Sequence, residues 1–204
     1  MDEQYFCLKK IKYQYSGLLK GKPKTRIILG IDPGTTITGY GVISASGTNP
    51  ELITIGSIDL SKFSDHHMKL KHIFDRTIGI IDEYHPDELA IEAPFYGKNV
   101  QSMLKLGRAQ GAAIAAALSR SLPIFEYAPR KIKMSITGRG AASKEQVAAM
   151  LMNILKFKKP EIKLDATDGL AAALCHFYQS NHTAGEKKYT GWKDFLNKNP
   201  GRVK

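Results

Sequence analysis

Apolar runs that close on an acid set the pattern of this chain. Arg26-Ile27-Ile28-Leu29-Gly30-Ile31-Asp32 ends on a carboxylate and runs into the turn residues Pro33-Gly34-Thr35-Thr36. That pattern predicts a strand at about 26–32 with Asp32 at its carboxyl end. Further strands are predicted at about 38–45 and 51–59, with Gly47-Thr48-Asn49-Pro50 as the turn between them. Short turns between consecutive strands imply an antiparallel meander. An amphipathic helix is predicted over roughly 65–84, ending before Pro86. A fourth strand at about 87–92, Asp87-Glu88-Leu89-Ala90-Ile91-Glu92, again closes on an acid. A helix over about 99–121 is stopped by Pro123, and a short strand follows at 124–127. Helices near 129–136, 143–156 and 165–180 complete the pattern, the first two separated by Gly138-Arg139-Gly140. The last helix opens on two acids, in Asp165-Ala166-Thr167-Asp168.

The order β-β-β-α-β-α-β-α-α-α fits an α/β fold, a five-stranded mixed sheet flanked by helices. The crossover out of the meander can lay strand four beside strand one and parallel to it. Asp32 and Glu92 would then be neighbours at the carboxyl ends of adjacent strands, where open α/β sheets place their sites. One domain is expected over 26–181, between a basic leader at 1–25 and a basic tail at 182–204. The leader is compatible with a disordered segment or with an arm that touches DNA. No internal repeat is visible.

Composition narrows the partners. The chain has 204 residues, 43% of them hydrophobic, and a formal charge of +11. Such a charge makes a polyanion the default partner. The excess is concentrated: residues 98–163 hold 13 Lys and Arg against three acids, Glu126, Glu145 and Glu161. That stretch is expected to hold a phosphate backbone. The two cysteines, Cys7 and Cys175, form neither a disulfide framework nor a zinc spacing, which suits a reducing cytoplasm. No apolar run reaches the length of a membrane span, and lysines and tyrosines interrupt the N-terminus where a signal-peptide core would lie. A cytoplasmic protein with no membrane partner is expected.

Four acids at element ends in a basic chain suggest a site for hard divalent cations. Asp165 and Asp168 are i and i+3, so they share one helix face, and they lie in the first turn, where the dipole favours acids. Helix capping would account for Asp165 alone, and an Asp-Pro-Gly turn start for Asp32 alone. Glu92 is harder to explain that way, because an acid at a buried strand end is unfavourable unless paired or metal-bound. Mg²⁺ takes carboxylates, water and phosphate oxygens, and two such ions about 4 Å apart suit phosphodiester hydrolysis. No zinc-type His or Cys spacing accompanies the acids; His66, His67, His72 and His85 read as surface residues.

Several strings, taken as a set, resemble the RuvC family of bacterial Holliday (crossover) junction endodeoxyribonucleases in the ribonuclease H-like superfamily. They are Leu29-Gly30-Ile31-Asp32-Pro33-Gly34, Thr38-Gly39-Tyr40-Gly41-Val42-Ile43, Ala90-Ile91-Glu92 and Gly97-Lys98-Asn99. Leu104-Lys105-Leu106-Gly107-Arg108-Ala109-Gln110-Gly111, Glu126-Tyr127-Ala128-Pro129-Arg130 and Asp165-Ala166-Thr167-Asp168-Gly169-Leu170-Ala171 complete the set. The resemblance covers about 27–180 and implies a ribonuclease H-like nuclease domain. It also implies a homodimer that nicks two opposite strands of a four-way DNA junction symmetrically in recombination and repair. Mg²⁺, two ions per site with Mn²⁺ as a substitute, is the implied cofactor, and Asp32, Glu92, Asp165 and Asp168 fall on the family's metal-binding carboxylates. Phe95 falls on an aromatic that stacks on bases at the crossover. Lys133 and Lys144 match basic positions near the cleaved strand. Lys98, Lys105, Arg108 and Arg130 are further expected DNA contacts. Gly107, Gly111 and Ala115, at four-residue spacing, leave a smooth helix face that suits either packing on the sheet or, as the resemblance implies, the dimer interface. A branch-migration complex, RuvA–RuvB, is implied as partner. The leader and tail fall outside the match, and Pro94 stiffens the loop carrying Phe95.

Three other readings compete. Gly30-Ile31-Asp32-Pro33-Gly34-Thr35-Thr36 also resembles the phosphate loop of the actin-like ATP-binding domains, but a second such loop is missing. A ribonuclease H-like nuclease acting on RNA or plain duplex would need the same acids. A non-catalytic junction-binding protein would use the basic stretch but has no need of four acids that repel phosphate.

Overall fold

The computed structural model describes residues 25–94, 99–157 and 164–183. Phe95 and Lys98, nearly all of the leader and most of the tail fall outside these residues.

Five strands form one sheet: β1 (Arg26–Asp32), β2 (Ile37–Ser46), β3 (Asn49–Asp59), β4 (Glu88–Glu92) and β5 (Ile124–Tyr127). Their spatial order is β3-β2-β1-β4-β5. The first three strands pair antiparallel, while β4 lies parallel to both β1 and β5. The sheet is therefore mixed, as the element order predicts. The β2–β3 turn is shorter than the sequence suggests. Only Gly47 and Thr48 form it; Asn49 pairs with Ser46 and Pro50 with Ala45. Pro50 is tolerated because β3 is an edge strand, where a missing N–H leaves no ladder bond unmade.

The period-2 alternation of β1 divides the core into two layers. Ile28 faces α5 (Leu164–Thr183), whose Leu170, Leu174 and Phe177 are fully or almost fully buried, with α3 (Pro129–Thr137) and α4 (Lys144–Leu155) packed alongside. Leu29 and Ile31 face the opposite way, onto Ile73 and Ile80 of α1 (His66–Tyr84) and Ala109 and Ala113 of α2 (Val100–Ser119). Each of the first four helices starts where a local signal says it should. Asp65 caps α1, Asn99 caps α2, Pro129 opens α3, and Ser143 with Gln146 forms a capping box on α4.

The approach of α5 to the sheet is unusually close. A methyl group at Gly169 would lie 2.6 Å from the Gly39 carbonyl oxygen, and one at Gly39 would overlap the Asp165 carbonyl. Only hydrogen on both sides lets the first turn of α5 sit directly on β2. That seating brings Asp165 and Asp168 to the end of β1.

Candidate metal-dependent nuclease site

Asp32 ends β1 and Glu92 ends β4, and the parallel register that pairs Ile31 with Ile91 sets the two acids side by side. Asp165 and Asp168 come from the first turns of α5. Asp32, Glu92 and Asp165 line one cleft of 340 Å³, with Pro33, Gly34, Leu106, Gln110 and Lys144 among its other walls. Asp168 reaches the same group through Lys144, whose Nζ donates to Asp168 Oδ2 at 2.6 Å and to Asp165 Oδ1 at 3.2 Å. All four expected acids therefore meet at one end of the sheet.

The local structure explains each placement. The turn after Asp32 is tied by Thr38, whose hydroxyl accepts from the Gly34 N–H and donates to the Gly34 carbonyl, both at 3.2 Å. Beyond Glu92, the Ala93 N–H donates to the Tyr127 carbonyl at 2.9 Å. Lys144 occupies the first turn of α4, where the helix dipole opposes a cation. The two acids facing it account for a lysine there.

The electrostatics are those of an under-neutralised acidic cluster. Burial, then the charge of Asp168, pushes the Asp32 carboxyl up to about 7, against the opposing pull of Lys144. Burial, then the charge of Asp32, pushes Glu92 up to about 8. Burial also raises Asp168, with Lys144 lowering it in part. Burial works against the Lys144 ammonium, yet its hydrogen bonds to Asp168 and Asp165 hold its pKa above the ordinary lysine range. Among the described residues no group of three or more His, Cys, Asp or Glu side chains is arranged to hold a metal ion as it stands; Lys144 is ion-paired with two of the four acids. The donor set is all carboxylate oxygen and carries more negative charge than Lys144 offsets, so it fits hard divalent cations.

The other expected residues are placed less centrally. Lys133 on α3 is close enough for its charge to lower the pKa of both Glu92 and Asp168. Lys105 lines a neighbouring pocket, and Arg108 lies along an apolar groove on α2. Arg130 lies over the α3–α4 turn, its Cγ against Gly140. Of the four histidines expected at the surface, His67 and His85 are exposed and His66 and His72 are half-buried. His72 packs its ring 5.0 Å from that of Phe63, and His66 has its Nε2 shielded from solvent, because the β3–α1 loop and α2 close over the first turns of α1. Gln110 joins the site without having been expected there. Its amide nitrogen donates to Glu126 Oε2 at 2.8 Å and approaches the Glu92 carbonyl at 3.5 Å. A glutamine within the alanine-rich stretch of α2, inside the family-like string Leu104–Gly111, is the signal the sequence offers for it.

Comparison with known proteins places this geometry. The family model for crossover junction endodeoxyribonuclease RuvC matches residues 28–176. The chain belongs to the RuvC family. It is 66% identical over 183 residues to the RuvC crossover junction endodeoxyribonuclease of Bacteroides fragilis, covering 89% of this chain and 97% of that one. The RuvC of Christiangramia forsetii is 62% identical over 179 residues, covering 88% and 93%. A solved structure of Thermus thermophilus RuvC, in complex with a Holliday junction substrate, superposes with a TM-score of 0.72 at 29% identity, covering 78% of this chain and 96% of that one. The ribonuclease H-like architecture of the RuvC resolvases thus extends over the sheet and the helices that carry the acids. RuvC nucleases generally depend on a divalent metal. Among the described residues, no helix is long and apolar enough to cross a membrane.

Proposed function

We propose that this chain resolves four-way DNA junctions by metal-dependent hydrolysis of one phosphodiester bond per active site. The observation that carries the reading is the convergence of Asp32, Glu92 and Asp165 in one cleft, with Asp168 joined to them through Lys144. Asp32, Glu92, Asp165 and Asp168 would hold two Mg²⁺ ions, or Mn²⁺ in their place. When bound, such ions supply a water of lowered pKa and neutralise charge on the reacting phosphate.

The chain's own groups do the rest. Lys144 holds Asp165 and Asp168 in place and presents a cation to a phosphate entering the cleft. Lys133 adds a second positive field from α3. Gln110 steadies the end of β4 from its buried side. Phe95, Lys98, Lys105, Arg108 and Arg130 extend the DNA contacts outward.

Two opposed nicks need two sites on one two-fold axis, so the acting unit is a homodimer. Val100, Leu104 and Leu118 stand exposed along one side of α2, at 66%, 51% and 60%. Added methyl groups at Gly107 and Gly111 would meet nothing, so nothing described in this protomer packs onto the helix there. This face receives the second copy. The RuvA–RuvB complex is the partner that would deliver the junction.

The test is incubation of the purified protein with a synthetic four-way junction and Mg²⁺, beside linear duplex, an RNA–DNA hybrid and an Asp165→Asn variant. Paired symmetric nicks in the junction alone, lost in the variant, are expected. Equal cutting of duplex or hybrid would remove the junction assignment, and binding without cutting would favour a non-catalytic role.

A further inference from the structure

A second, separate pocket opens beside the acidic cleft, and the β1–β2 turn is the wall between them. Gly34 and Ile37 face the cleft, whereas Thr35 and Thr36 line the second pocket. Ser64, His66 and Lys69 from the start of α1, and Lys105 from α2, complete its lining. The carboxyl ends of β1 and β3 and the starts of α1 and α2 all lie at the same end of the sheet. The acidic cleft and this pocket therefore open at the same end of the sheet.

Among the described residues no carboxylate lines it. The nearest acid in sequence, Asp65, is turned into the helix, accepting from the backbone N–H groups of His67 and Met68 at 3.3 and 3.2 Å. The first turn of α1 is thus already capped, and the open donors are side chains. His66 Nε2 is shielded from solvent and has no hydrogen-bond partner among the described residues. A shielded ring nitrogen with no partner among the described residues can be satisfied by a polar group entering the pocket. The groups that bear on the His66 ring are all potential cations: Arg108 and Lys105 from α2, His67 and Lys69 from α1. Burial, and after it these charges, hold the ring below the ordinary histidine range. Lys69 spends one donor on the Thr35 carbonyl at 3.1 Å and keeps two more. The pocket encloses 140 Å³, roughly four or five waters' worth at about 30 Å³ each, a scale that suits a phosphate group better than a base.

We infer that this pocket is a phosphate subsite. It takes a phosphodiester of the DNA arm flanking the cleaved bond, held by His66, Lys69, Lys105 and the Thr35 and Thr36 hydroxyls. The inference rests on the reading of the chain as a DNA-binding nuclease. An anion in the pocket offsets the surrounding cations, so His66 takes up a proton as DNA binds, and Nε2 becomes a donor to phosphate.

The test is the salt dependence of DNA binding in an Asp165→Asn background, which keeps the junction intact, at pH 5.5 and 8.5. Each lost phosphate contact lowers the slope of log K against log salt by about 0.9. Lys105→Gln should lower it by that amount at both pH values. His66→Ala and His66→Gln should lower it at pH 5.5 and leave it unchanged at 8.5, a pattern that mere loss of packing would not give. Slopes equal to the parent's at both pH values, or an equal loss at both for the His66 variants, would overturn the subsite. So would a His66 ring resonance that moves with inorganic phosphate but not with DNA. A parent with no preference for junction over duplex would sink the functional reading instead, and the slopes on duplex would still decide the pocket.

Discussion

Replacing Asp32 by asparagine should abolish cleavage and yet make the metal-free protein more stable at alkaline pH. Asparagine keeps the shape of the side chain, and its amide can donate to the neighbouring carboxylates. What it removes is a charge that the fold disfavours. Asp32 is pushed from an ordinary value of 3.8 to about 7, first by burial and then by Asp168. The sign follows from linkage. Well below pH 4 the carboxyl is protonated whether the chain is folded or not, and it imposes no penalty. Between pH 4 and 7 the unfolded chain ionises while the folded one keeps its proton, so stability falls as pH rises. Above 7 both are ionised and the penalty is constant. A tenfold difference in proton affinity between the folded and unfolded chain is worth about 1.4 kcal/mol, so Asp32 destabilises the metal-free fold by at most about 4 kcal/mol at pH 8.

Glu92 shares part of this repulsion, because Asp32 is its largest charged perturber. The amide therefore relieves Glu92 as well. At pH 8, in chelator, the variant should exceed wild type by about 2–4 kcal/mol. For a chain of this size that is a rise in Tm of roughly 4–16 °C. At pH 4 the two should melt together. Thermal melts of both proteins across pH 4–8, with and without Mg²⁺, measure this directly, and the difference between them cancels every shared titration. Mg²⁺ should raise the Tm of wild type increasingly with pH and that of the variant much less. A variant less stable than wild type at pH 8 in chelator would refute the argument, since the acids would then not be strained by their own company.

Three other outcomes follow from the same geometry. Lys144→Gln should lower kcat by about 10²–10³, the usual effect of losing one charge-stabilising donor, with a smaller change in KM; steady-state cleavage of a labelled junction reads both. Gly169→Ala puts a methyl 2.6 Å from the Gly39 carbonyl, so it should destabilise by about 1–3 kcal/mol in chemical denaturation and weaken the Mg²⁺ response of the melt by displacing Asp165 and Asp168. Leu104→Asp, on the exposed side of α2, should convert dimer to monomer in analytical ultracentrifugation while leaving the protomer's circular dichroism unchanged.

The elements were legible because each local signal agreed with the one it served. Apolar runs closed on acids, caps preceded helices, and Pro86 and Pro123 fell between elements, so the strands, helices and order of the sheet follow from the sequence. The four acids were legible as a group for a related reason: each stood at an element end, where topology could gather them. The meeting of Lys144 with Asp165 and Asp168 was not readable from spacing, because 21 residues separate Lys144 from Asp165 and the two lie on different helices. Only the resemblance pointed to Lys144. His66 misleads for the opposite reason. It opens an amphipathic helix amid polar neighbours, which is how a surface residue reads; it is half-buried, and the shielding of its Nε2 depends on the β1–β2 turn, the β3–α1 loop and α2 meeting around it. Local pattern reports what an element does for its own face. It is silent about a pocket made by three elements distant in sequence. The acidic cleft is also such a pocket, and it could be inferred only because unneutralised carboxylates at strand ends are improbable enough to demand a common explanation. A histidine and a few lysines in a basic chain make no such demand, so that second pocket could be found only from the structure.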